Sequence, residues 1–115
     1  MARILRTWTF WIRTVCEDEC RAYLELHNLP LIRAQPGCIH ARAIFRPFGD
    51  SATEVVVASV WRSMADIRAY TGLGDPMRPR GDPLAVLRTM DREPFVRHSL
   101  IRADEETDAW LGSLR

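Results

Sequence analysis

The sequence predicts an α+β domain made of two β-α-β halves set back to back. Two segments dense in β-branched and aromatic residues, near 3–15 and 53–61, are each followed at once by a helix-start signal. These signals are Thr14-Val15-Cys16-Glu17 and Ser63-Met64-Ala65-Asp66. A further extended segment closes each half, opened by Pro36-Gly37 in the first and by Pro94 in the second. At 115 residues the chain is the size of one ordinary domain with a single core.

Strand one carries Ile4, Trp8, Phe10 and Ile12 on one face, with Arg6 placed near the edge, and Leu5, Thr7, Thr9 and Trp11 on the other. The Thr14–Glu17 segment reads as a capping box, in which hydroxyl and carboxylate satisfy amides at a helix start. The helix that follows, about 17–29, puts Cys20, Leu24 and His27 along one stripe, with Tyr23 and Leu26 beside it. Pro30 breaks or kinks it. Strand two spans roughly 38–46, and the Gly49-Asp50 turn is short enough to join it to strand three as a hairpin. The second cap opens a short helix from Ala65 to Tyr70. Gly72, Gly74, Pro76, Pro79 and Gly81 mark a loop, and Asp82-Pro83 opens a further helix to about Met90. Strand four runs from Phe95 to Arg102. In this order the elements give the split β-α-β, ferredoxin-like arrangement: a four-stranded antiparallel sheet with helices on one face. The domain is expected over 1–103, with 104–115 as an acidic tail that carries Trp110, Leu111 and Leu114, either a docked helical turn or a partner contact.

Helices shield only one face of such a sheet. Strand three nevertheless reads Val55, Val57, Ser59 and Trp61 on one side against Val56, Ala58 and Val60 on the other. A second apolar face calls for another cover, and a symmetric homodimer packed sheet to sheet supplies it economically.

Composition excludes several function classes. A net charge of +1 gives no reason to expect nucleic acid or an anionic membrane as partner. All 16 basic residues are arginine, so Schiff-base, pyridoxal and P-loop lysine chemistry is absent. No apolar run approaches the ~20 residues that span a bilayer, and the start, broken by Arg3, Arg6 and Arg13, reads as a strand and not a signal peptide. Three cysteines, Cys16, Cys20 and Cys38, suit a reducing, cytoplasmic setting. Their spacing to His27 and His40 fits no standard zinc pattern, so no metal is expected and the thiols read as small buried residues. No carboxylate pair, Ser-His-Asp order or Gly-rich phosphate loop stands out, which disfavours hydrolase and nucleotide chemistry.

Several segments at their present spacing resemble the antibiotic-biosynthesis-monooxygenase (ABM-like) superfamily. They are Arg6-Thr7-Trp8, Leu29-Pro30 through Arg33-Ala34-Gln35-Pro36-Gly37, Val60-Trp61-Arg62-Ser63 into Ile67-Arg68-Ala69-Tyr70-Thr71-Gly72, and Pro94-Phe95-Val96-Arg97-His98. The resemblance implies a dimeric α+β barrel, and a bacterial source agrees with the exclusive use of arginine. It also implies a cofactor-free monooxygenase acting on a small aromatic or polyketide-like phenol or quinol. The alternatives are a non-catalytic member that binds a small molecule or merely assembles, and a haem-binding or haem-degrading member. Haem-degrading relatives use a strand-one asparagine, a tryptophan ending strand three and a histidine about ten residues later. Only Trp61 carries over; Thr7 and Trp8 stand on strand one, and Tyr70 and Thr71 end the helix-two stretch.

Cofactor-free oxygenation asks for a dry pocket, a base and a donor for developing negative charge. His27, on the expected buried stripe, is the candidate base, or else a helix-end histidine bonded to a carbonyl. Trp61 is the candidate donor and stacking surface, or core. Trp8, Tyr70 and His98 are candidate pocket walls, and each can equally be structural. Arg42, like Arg97, holds an interior strand position and is a candidate for a substrate oxyanion or a dimer salt bridge.

Overall fold

The computed structural model describes residues 2–72, 87 and 92–102. Its elements are β1 (Ala2–Arg13), a 3-10 turn (Thr14–Cys16), α1 (Glu17–Tyr23), a π turn (Leu24–Asn28) and α2 (Leu29–Arg33). They continue with β2 (Cys38–Phe48), β3 (Ala52–Trp61), α3 (Met64–Thr71) and β4 (Phe95–Arg102). The four strands form one antiparallel sheet in the order β2-β3-β1-β4, so the two halves interleave and the most apolar strands lie in the middle. The expected α+β, ferredoxin-like sheet is therefore present. The expected loop and helix between Gly72 and Met90 and the tail 104–115 lie outside the described residues, Leu87 aside.

Registers assign the faces. Ile4, Arg6, Trp8, Phe10 and Ile12 oppose Trp61, Ser59, Val57, Val55 and Thr53, all on the helix side. Ala41, Ala43 and Phe45 continue this face on β2, and Val96 and His98 continue it on β4. Cys20, Leu24, Leu29, Ile32 and Ile67 close over it from the helical layer. Leu24 and Ile67 are fully buried, and each contributes roughly 1.5–3 kcal/mol by that burial.

The first helix departs from expectation at two places. Thr14 and Glu17 make no capping box: both bond the Thr53 hydroxyl instead, at 3.1 and 3.2 Å, which staples the helix start to β3. The helix also does not stop near residue 29. It passes through Pro30 to Arg33, with a π turn in place of a kink. Leu29 N–H donates to Leu24 O, five residues back, and Pro30 next in line has no N–H to place. The buried stripe accordingly runs Cys16, Cys20, Leu24, Leu29 and Ile32, with its one five-residue step at the π turn. By contrast the second cap is as expected: Ser63 Oγ accepts from Asp66 N at 3.2 Å and donates to Asp66 Oδ2 at 2.8 Å.

The second sheet face is less open than the strand pattern implies. Thr9, Trp11, Ile44, Ala58 and Val60 on that face are already buried within the single chain. Trp11 is wedged between the Phe48 and Phe95 rings, each 5.9 Å away, with the Arg92 guanidinium above. Phe95 is left exposed at the rim.

Candidate site between helices and sheet

Arginine 6 is the residue around which the site is built. It lies on the central strand β1, not at an edge, and only 4% of its surface is exposed. Alternation turns it toward the helices between Ile4 and Trp8. Its Nη1 donates to His98 Nε2 on the neighbouring strand at 3.0 Å. An arginine has no acceptor to offer, so this bond fixes the imidazole as neutral, with its proton on Nδ1. Burial, and secondarily the Arg6 charge, hold His98 below the usual histidine pKa, in agreement with that tautomer. Burial also draws the Arg6 guanidinium below its ordinary value, and Tyr70 acts in the opposite direction.

A small cavity of about 20 Å³ opens beside Arg6, walled by Trp8, Val57 and Ser59 from the sheet and by Asn28, Ile32 and Tyr70 from the helical layer. That is room for about one water-sized oxygen. Two buried polar atoms of residues in this wall, Trp8 Nε1 and Asn28 Oδ1, have no hydrogen-bond partner among the described residues. Buried polar groups ordinarily have one, and their exceptions ask for a reason.

The sequence-predicted residues divide into those the fold gathers here and those it does not. Trp8 and Tyr70 line the cavity, and His98 reaches it through Arg6. Trp61 is fully buried on the same sheet face, next to Ser59 along β3 but outside the cavity lining: its indole N–H is given to Ser59 Oγ at 2.8 Å, and its ring stacks on Tyr70 at 5.4 Å. The expectation that this N–H faces a substrate is therefore corrected; Trp61 acts on the wall through Ser59 and Tyr70. His27 is exposed, its ring 5.4 Å from that of Tyr23, because the five-residue step of the π turn shifts the buried stripe to Leu29. It does not face the cavity. Arg42 is on the edge strand β2 and lines a separate groove of about 380 Å³ with Arg21, Leu24, Arg33 and Phe45. Arg97 is exposed on the other edge strand, over the Phe95 ring.

Sequence reasoning missed Arg6, Asn28 and Ser59. Arg6 left a signal: it shares the parity of Ile4, Trp8 and Phe10, all core residues. Asn28, four residues beyond Leu24, also had helical spacing in its favour.

Among the described residues no group of three or more His, Cys, Asp or Glu is placed to hold a metal ion. All three cysteines are free thiols, and burial pushes Cys20 up to about 12. No helix among the described residues is long and apolar enough to cross a membrane.

A monooxygenase family is the one whose model fits this arrangement of strands and helices: the model described as antibiotic biosynthesis monooxygenase matches residues 6–75, more than half of the chain. The chain belongs to the antibiotic biosynthesis monooxygenase family. Solved structures support its fold. A monooxygenase from Streptomyces coelicolor, in complex with the ligand nanaomycin D, is 20% identical with a TM-score of 0.62, over 88% of each chain. A Mycobacterium tuberculosis protein is 20% identical with a TM-score of 0.60, over 90% of this chain and 97% of that one. A MhuD mutant with two manganese protoporphyrin IX bound per active site is 11% identical with a TM-score of 0.62, over 88% of this chain and 96% of that one. No curated protein is similar enough to be matched. None of the three histidines is placed at the cavity to ligate a haem iron: His98 Nε2 is held by Arg6, and His27 and His40 are exposed.

Proposed function

We propose that this family member is a cofactor-independent monooxygenase of small aromatic or polyketide-like phenols, with its site at the Arg6 cavity. The observation that carries this reading is a buried guanidinium, held by His98 and set among Trp8 and Tyr70 in the layer between helices and sheet. The liganded monooxygenase from Streptomyces coelicolor supports the substrate class.

In such a site the positive charge favours the ionised form of a bound phenol, lowering its pKa by about 1–3. The anion is the electron-rich form that reacts with oxygen. A hydroxyarene with a free ring position then takes up O₂ as a hydroperoxide, which loses water to leave a quinone. One oxygen atom stays on carbon and the other leaves as water. Arg6 stabilises the oxyanion throughout; the cavity of about 20 Å³ takes only the substrate's oxygen, so the ring lies outside its Trp8 and Tyr70 walls. Trp61 is a positioning residue, holding Ser59 and Tyr70 in place.

The working unit is a homodimer joined through the second sheet face, where Phe95 is the exposed apolar contact. Three free thiols agree with a cytoplasmic location.

Oxygen uptake with a panel of anthrols and naphthols tests the activity. Wild type is expected to consume oxygen, and Arg6→Met to lose at least about tenfold in kcat/KM, in proportion to one charge-assisted contact. Uptake unaffected by Arg6→Met removes Arg6 from the chemistry. A haem titration that yields a Soret band with a stoichiometric endpoint favours the porphyrin reading over this one.

A further inference from the structure

We infer that the groove between the first helical stretch and the edge strand β2 is a second ligand site, which takes an organic carboxylate: one anionic head on an apolar body. No described residue lines both this groove and the Arg6 cavity. One helical stretch walls the two, with Asn28 and Ile32 at the cavity and Leu29 and Arg33 at the groove.

The groove's volume of about 380 Å³ lies within the range of roughly 300–1,000 Å³ usual for small-molecule pockets. Its lining has two characters. Leu24 and Leu29, both core residues, form its apolar part together with Ala43 and Phe45 from the helix-facing side of β2. Arg21, Arg33 and Arg42 with one carboxylate, Glu25, give it a formal charge of +2. Glu17, which pairs with Arg21 at 3.4 Å, leaves the surplus positive when it is counted too. A ligand that covers both parts is an amphipathic anion. A bare inorganic anion meets the charge and leaves the apolar part wet.

Two of the arginines are held in place by the protein. Arg33 donates from Nε and Nη2 to the Ala41 carbonyl, at 3.2 and 2.8 Å, which fixes its guanidinium against β2. These bonds use the Nε side of the fork. The end-on edge carries further N–H donors, at the spacing a planar carboxylate accepts side by side. Arg21 lies over the Phe45 ring, its Cζ 4.1 Å from the centroid, so cation and aromatic wall form one surface. Side chains placed in advance cost less ordering on binding. Arg21 and Arg33 are exposed, so solvent screens each contact and the affinity is shared among the three cations.

Calorimetry with 2-naphthoate, 2-naphthalenemethanol and inorganic phosphate tests the site. The alcohol keeps the apolar body without the charge, and phosphate keeps a charge without the body. Wild type is expected to bind naphthoate about tenfold more tightly than the alcohol, and phosphate more weakly than either. Naphthoate affinity should fall as salt is raised from about 50 to 200 mM. Arg33→Gln should weaken naphthoate by about threefold or more and leave the alcohol unchanged. Arg42→Gln, which spares the bonds to Ala41, gives the same reading should Arg33→Gln fail to fold. Arg6→Met should bind naphthoate as wild type does. Three outcomes overturn the inference: no naphthoate binding at millimolar concentration, phosphate binding as tightly as naphthoate, or naphthoate binding lost in Arg6→Met and kept in both groove variants. None of them touches the oxygen uptake that tests the Arg6 cavity, so the two readings fail separately.

Discussion

At the scale of single residues, the decisive feature is a cation placed where strand alternation expects core. Arg6 is kept in register by the imidazole opposite it, and that contact is sensitive to acid. The folded-state pKa of His98 lies below its ordinary 6.5, so the unfolded chain binds the proton more readily than the folded one. The contribution of this group to stability is therefore complete above about pH 6.5 and is lost as the pH falls through the folded pKa. Urea titrations across pH 4–8 should show this acid limb, and His98→Gln should flatten it; an unchanged limb would remove His98 as its source. Thiol chemistry offers a second check. Cys20, fully buried and with its pKa pushed up to about 12, should resist a thiol reagent at pH 8 until the protein is unfolded, whereas half-buried Cys38, which burial also pushes up, should be labelled slowly in the native state.

At the scale of elements, the π turn and the Gly37 turn set where the helices sit over the sheet. A π turn is one residue more than an α-helix needs, and His27 in it is exposed. Deleting His27 should let Leu29 follow Leu24 at the ordinary four-residue spacing. The expected result is a folded domain whose melting temperature changes by less than about 5 °C, with phenol binding impaired because Asn28 is carried off the cavity wall. Unfolding of the deletion variant would contradict this account of the helix. Gly37 is more constrained. Its φ of 86° is unfavourable for any side chain, and a Cβ there would collide with the Asp66 carboxylate that accepts from the Ser63 cap of α3. Gly37→Ala should cost more than about 1 kcal/mol in chemical denaturation. The elements themselves were largely legible in the sequence. Strand four was placed at its observed limits, and the Ser63 cap was read from one hydroxyl and one carboxylate three residues apart. The capping box at Thr14 was misread because Thr53, distant in sequence, offers both of its groups a better-placed partner.

At the scale of the whole molecule, the sheet has one face covered by helices and another that is partly self-covered. Central-strand residues such as Ala58 and Val60 are shielded by their larger neighbours, and Trp11 by an aromatic cluster. The homodimer proposed above consequently rests on a smaller open surface than the apolar pattern suggests. Sedimentation equilibrium at micromolar concentration should return twice the chain mass, and Phe95→Glu should shift the equilibrium toward monomer without changing the far-ultraviolet circular dichroism. A wild-type protein monomeric up to about 100 μM, above the micromolar range typical of specific association, would exclude that assembly.

The sequence by itself determined the order of the four strands, the fold class and the shared face of Ile4, Trp8, Phe10 and Ile12, and its segments resembled the family. The strands and their faces follow from local periodicity and turn chemistry, which act over a few residues and are written along the chain. Only the tertiary structure decided which polar groups meet. That Arg6 lies against His98, 92 residues away, depends on β1 and β4 being neighbours in one register. That Trp61 spends its N–H on Ser59, and that Asn28 rather than His27 reaches the cavity, depends on side-chain packing and on a single extra residue in a helical turn. Hydrogen-bond partners are chosen by proximity in space, and a one-residue shift reassigns them without altering the hydrophobic pattern that specifies the fold.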